Sequence, residues 1–216
     1  MENLNTPFKK NNIFGLGISE LLTLILWFGI IFLTWYFMHG ADHFLQLTQA
    51  AMEKYFRVKY ILILHITAGG GALISGPPQF LKSLLLYSPK IHRALGYLYL
   101  LAVLGSSFTA VILSFTTAYE VNWPYAFSLQ VWVSVWISAS FIAFRAAIKK
   151  QFLQHKQWMV RSYMVTIAFV ISALILKMPI MARVGNMSEV SPSIFWFAWS
   201  VPLYVYQIIL SRKIKA

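Results

Sequence analysis

The chain has 216 residues, 59% of them hydrophobic and 11% charged, with a formal net charge of +12 and no cysteine. The missing cysteine excludes disulfides, thiolate metal centres, cysteine-ligated iron–sulfur clusters, cysteine nucleophiles and covalently attached c-type haem. A mean hydropathy of +0.66 and several apolar runs of spanning length exclude an ordinary soluble domain, so the positive charge reads as topology and attraction to anionic lipid rather than nucleic-acid binding.

In chain order, residues 1–13 are polar, carry Lys9 and Lys10, and read as a cytoplasmic tail. Leu16 to Met38 is the first expected span; it is too long for a signal-peptide core and no small-residue cleavage site follows. Glu20 lies about a turn inside it, where an acid needs protein or a cation as partner. The stretch from His39 to Tyr55 has helical apolar spacing among polar residues and predicts a short helix at the outer interface. A second span begins near Lys59 and carries His65 and then Gly69, Gly70 and Gly71, small residues that permit close helix contact. Gly76-Pro77-Pro78 ends or kinks it, and Gln79 to Tyr87 is expected along the inner face.

His92 and Arg93 open a third span running to about Ala118. The fourth covers Tyr125 to Phe144. Arg145, Lys149, Lys150, His155 and Lys156 then form the strongest basic loop. The fifth runs from Trp158 to Met181, with Lys177 near its outer end, and the sixth from Ser193 to Leu210, with Pro179, Pro192 and Pro202 interrupting the last two. With the amino end inside, thirteen Lys and Arg fall on inner segments and five on outer ones. That bias places both termini in the cytoplasm. The expectation is an all-α polytopic membrane helix bundle of about six transmembrane helices. It forms one domain over residues 1–216, spanning the bacterial inner membrane.

The densest chemistry is the stretch His155-Lys-Gln-Trp-Met-Val-Arg-Ser-Tyr163. His155, Trp158, Met159 and Ser162 fall on one helical face, flanked by Lys156 and Arg161. His92 and His155 both stand at the inner ends of spans running the same way. Two imidazoles on separate helices are the usual axial ligands of a bundle-held b-type haem, and so His92 and His155 are the expected metal ligands. Arg93, Arg145 and Arg161 could hold propionates, and Trp158 and Tyr163 the macrocycle edge. The plain alternative is a basic interface with one Trp anchor and headgroup-bound histidines.

His65 sits about a turn and a half below the outer surface. It is a candidate for a second haem or for donation to a quinone oxygen; the competing reading is a core histidine bonded to a backbone carbonyl or a serine. His39 and His43 have i, i+4 spacing, a weak metal pattern without a further ligand nearby. No nucleotide-loop, zinc-protease or hydrolase-elbow motif occurs, and no catalytic residue is named.

The pattern His65-x-x-x-Gly69-x-x-Ala72-Leu73-x-x-Gly76-Pro77-x-Gln79-Phe80, then His92-Arg93-x-x-Gly96-x-x-Tyr99, then His155-x-x-Trp158-Met159-x-Arg161-Ser162-Tyr163 resembles an uncharacterised bacterial family of multi-span membrane proteins, domain of unknown function 2306. The resemblance covers roughly residues 60–180 and leaves the first and last spans largely outside. It implies that His65, His92 and His155 belong to one recurring constellation, and it implies no reaction. Lys177 stands where that pattern has Arg, and Lys would supply a bidentate contact less well. Three functions are carried forward. The first is a haem b protein passing electrons to or from quinone or a membrane redox partner. The others are a non-redox accessory subunit of a larger complex and a small proton-coupled transporter using Glu20, His65 and Lys177.

Overall fold

The computed structural model describes residues 18–40, 44 and 46–215, with backbone alone at 18–20, 23, 37, 38 and 213–215. Lys9, Lys10, Asp42 and His43, and the side chain of Glu20, lie outside the described residues. The chain is a bundle of membrane-spanning helices. α1 covers Ile18–Gly40, α2 is a single turn at Gln49–Met52, and α3 covers Lys59–Ser75. After α4 (Lys82–Tyr87) come α5 (Pro89–Phe115), α6 (Trp123–Ile148), α7 (Phe152–Leu176), the short α8 (Met181–Val184) and α9 (Met187–Lys215). Among the described residues five helical stretches are long and apolar enough to cross a membrane: 49–80, 89–115, 123–148, 152–176 and 187–212. α1 adds 23 residues, of which Leu24–Tyr36 is a shorter apolar stretch.

Neighbours follow chain order: α1 on α3, α3 on α5, α5 on α6, α6 on α7, and α9 against both α6 and α7. Large apolar residues such as Leu101, Phe108 and Tyr204 face outward, while Ser106, Ser107, Thr109, Ser128, Ser140, Ser162 and Thr166 are buried. Lipid tails are as apolar as Leu, so burying Leu gains little; small residues that let backbones approach gain more. The expected role of the glycines is seen where α3 meets α5. A Cβ on Gly69 would stand 3.4 Å from Ser106 Oγ, one on Gly71 3.6 Å from Ala102 Cβ, and one on Gly105 3.6 Å from Ala68 Cβ.

Three boundaries differ from the sequence reading. The outer segment expected as one short interfacial helix is, in its described part, the single turn α2 followed by a 3-10 helix at Glu53–Val58. α7 begins at Phe152, six residues before the expected Trp158. Hydropathy marks where hydrocarbon begins, whereas backbone hydrogen bonding continues through Gln154, His155 and Lys156, polar residues that are adequate helix formers. The basic loop shrinks to Lys149–Gln151, with Lys150 in the left-handed region (φ 59°). His155 therefore lies inside a helix.

α9 runs continuously through Pro192 and Pro202. A proline frees the carbonyl four residues earlier, which for Pro192 is that of Ser188. Asn122 Nδ2 donates to that carbonyl at 2.9 Å. The same side chain caps α6, its Oδ1 accepting from the Tyr125 N–H at 2.8 Å. Asn122→Ala removes both bonds and should lower stability by about 1–2 kcal/mol in a detergent thermal-unfolding assay; Asn122→Asp, which keeps the cap acceptor, should lower it less. Nearby, Arg57 pairs with Glu120 across the two loops at this end. Both side chains are well exposed, so Glu120→Gln should change stability by less than about 1 kcal/mol in that assay.

Candidate functional site

Two residues set the geometry. His92 lies in the first turn of α5 and His155 in the first turn of α7. Tyr99 follows His92 by seven residues, and Ser162 follows His155 by seven. Seven residues make almost two full turns and about 10.5 Å, so each pair shares a face of its helix. Tyr99 Oη and Ser162 Oγ are hydrogen-bonded at 2.6 Å. Both helices run the same way, so that bond places His92 and His155 at one level, two turns closer to the basic end.

The His155 ring is tethered. Its Nδ1 is 2.9 Å from the Ala143 carbonyl on α6. A carbonyl only accepts, so Nδ1 carries the proton and Nε2 keeps its lone pair. This is the arrangement by which a protein orients a metal-binding imidazole. The His92 Nδ1 is buried and has no hydrogen-bond partner among the described residues. Such an orphan costs about 1–3 kcal/mol if nothing binds it. Its backbone is held by Gln79, whose Nε2 donates to the His92 carbonyl at 3.1 Å.

Between this level and the centre of the bundle lies a buried hydroxyl network. Tyr99 Oη also meets Thr166 Oγ1 at 2.9 Å, Trp136 Nε1 donates to Thr166 Oγ1 at 2.8 Å, and Ser140 Oγ meets Ser162 Oγ at 2.7 Å. α5 and α7 meet mainly through these side chains, with α6 packed beside both. Tyr99→Phe removes one hydroxyl while leaving the Ser140–Ser162 and Trp136–Thr166 bonds. Thermal unfolding should register a loss of about 1–2 kcal/mol, with no change in any property of the His92–His155 level.

The remaining expected residues are distributed as follows. Arg93 is exposed, with Nε 3.4 Å from the Pro89 carbonyl; Arg145 is exposed in the last turn of α6. Arg161 turns toward α9. It donates to Gln207 Oε1 at 2.8 Å and lies 4.8 Å from the Trp158 ring and 5.2 Å from the Tyr206 ring. Tyr163 Oη donates to the Leu73 carbonyl at 3.1 Å, and its ring lies over Gly76. His65 is at the other end of the bundle, its Nδ1 3.0 Å from the Ser106 carbonyl, the bonding expected of a core histidine. His39 stacks on Trp35 at 5.6 Å. Among the described residues no three His, Asp or Glu side chains gather as a metal cage. Ser140, Trp136 and Thr34 were not singled out from sequence. Ser140 and Trp136 carry a helical spacing signal of four residues on α6, but nothing in the chain's order reveals which helix they face.

A family model described as "Predicted membrane protein (DUF2306)" matches residues 62–210. The match extends beyond the expected 60–180 and takes in most of α9, while α1 lies outside it. No curated protein and no solved structure matches the chain.

Proposed function

Taking as premise that the chain belongs to the DUF2306 family of predicted membrane proteins, whose description names no reaction, we propose that it is a membrane b-type haem protein that passes electrons to or from quinone or a membrane redox partner. The observation that carries this reading is the pairing of His92 and His155 at one level on two helices. One ring is oriented by the Ala143 carbonyl, and the other has a buried nitrogen left unpartnered.

The donor set suits haem better than a bare metal ion. A mononuclear zinc or iron site wants three or more protein ligands, whereas a porphyrin brings four nitrogens of its own and asks the protein for two. His92 and His155 would be the axial ligands. Arg93 and Arg145, exposed at the surface of the same end, would take the propionates. Arg161 and Trp158 would contribute by bracing α7 against α9. When bound, the group supplies reversible one-electron chemistry; the protein supplies ligand orientation and a surrounding of low dielectric.

The test is the absorption spectrum of the purified protein, as isolated and after addition of haemin. One equivalent of haemin taken up with a low-spin, bis-histidine spectrum is the expected result. Absence of uptake would overturn the reading and return the chain to a packing or transport role.

A further inference from the structure

A second place in the fold is built to receive a ligand. Between α1, α3, α5, α6 and α7 lies a cavity of about 240 Å³. It reaches from His65, six residues or about 9 Å into α3, to Trp136 and Thr166 near the middle of α6 and α7. Its walls are mostly apolar, with the Phe169 and Trp136 rings meeting edge to face at 61°, and its polar groups are few.

Two of those groups each present a polar atom with no partner among the described residues. Thr34 lines the cavity, is 3% exposed, and its hydroxyl makes no hydrogen bond among the described residues. His65 donates from Nδ1 to the Ser106 carbonyl, so in the neutral ring Nε2 is an acceptor, and no hydrogen bond reaches it among the described residues. The ligand must therefore bring a donor. It must also be lipid-soluble, because the site lies within the membrane, and a ring suits the apolar wall, where it can stack on one aromatic side chain and meet the other by its edge. Size sets a further bound. A cavity of about 150 Å³ holds a single benzene ring, so this one holds one substituted ring and not a macrocycle.

We infer that the cavity binds the hydroxylated ring of a membrane-soluble hydroquinone, one hydroxyl donating to His65 Nε2 and the other side of the ring facing the Thr34 hydroxyl. This deepens the electron-transfer reading and rests on it for the use made of the ring. The binding itself is a separate property that needs no haem.

The test uses the full chain in nanodiscs without added haemin, dialysed against tetramethylhydroquinone kept reduced, and against its dimethyl ether, which lacks both donors. The hydroquinone should bind at least about 10-fold more tightly than the ether, because the ether leaves His65 Nε2 unpaired. His65→Asn keeps a donor toward Ser106, and its shorter side chain has no atom at the Nε2 position; it should lose about 10-fold or more of that affinity with its unfolding temperature little changed. Ala173→Phe, which fills the cavity, should abolish binding. Equal binding of the ether and the hydroquinone, or wild-type affinity in either variant, overturns the proposal. If Ala173→Phe does not fold, the comparison of the two probes decides alone. Haem uptake without hydroquinone binding sinks this inference and leaves the His92–His155 reading standing; the reverse result does the opposite.

Discussion

His92→Ala and His155→Ala are each expected to abolish the low-spin spectrum of the haemin-loaded protein, while His39→Ala leaves it unchanged. In the proposed reading His92 and His155 would be the two protein residues that hold the group. Changing only an outer-shell partner of a metal ligand commonly costs about 10–100-fold in affinity, and removing a ligand should cost at least that much. The two variants should also differ. Without His155, the Ala143 carbonyl loses a hydrogen bond but still has its own helix partner, and α6 and α7 remain packed along their length. Without His92, a buried nitrogen that had no partner disappears. Unliganded His92→Ala protein is therefore expected to be as stable as the parent or more so, and unliganded His155→Ala slightly less stable, about 1 kcal/mol by thermal unfolding. A spectrum that survives both substitutions would remove the haem assignment.

Gly76→Ala is expected to destabilise the fold strongly. A Cβ at this position would stand 2.2 and 2.3 Å from two ring carbons of Tyr163. The ring has little freedom to retreat. Its hydroxyl is bonded to the Leu73 carbonyl, and its faces meet Phe80 at 5.7 Å and Tyr99 at 6.4 Å between ring centroids. Overpacking of this kind costs about 1–3 kcal/mol, and the upper end is expected here, corresponding to roughly 6–12 °C in unfolding temperature for a chain of this size. Tyr163→Ala alone should also be costly, about 3–5 kcal/mol, through the cavity it leaves. In the double variant the added methyl enters that cavity. The combined loss should fall below the sum of the single losses, and a simple sum would show that the two residues are not in contact.

Much of this arrangement can be read from the chain before any coordinates. The long apolar runs give the helices, the glycines of α3 give its close seat on α5, and Gly76-Pro77-Pro78 marks where α3 stops. The level of His92 and His155 follows from counting spans, because two helices of the same direction begin with these residues. Other features depend on information that periodicity does not carry. The early start of α7 is hidden because a polar helical turn at a membrane surface looks like a loop to hydropathy. Pro192 and Pro202 read as breaks, since the side chain that repairs the first lies 66 residues away in Asn122. The cavity is the least legible, because Thr34, His65, Trp136 and Thr166 stand on four helices and no local spacing relates them.

The placement of small residues inside and bulky ones outside has a bearing on how such a chain can drift. In a water-soluble protein the interior tolerates swaps among Leu, Ile and Met, and the exterior accepts nearly any polar group. Here the rules are exchanged. Outward positions such as Leu101 and Phe108 can trade freely among large aliphatic and aromatic side chains, whereas inward ones are held either to small residues where backbones approach or to particular rings such as Trp132, Trp136 and Tyr99. Homologues should therefore keep their size pattern along each helix long after their identities at lipid-facing positions have diverged.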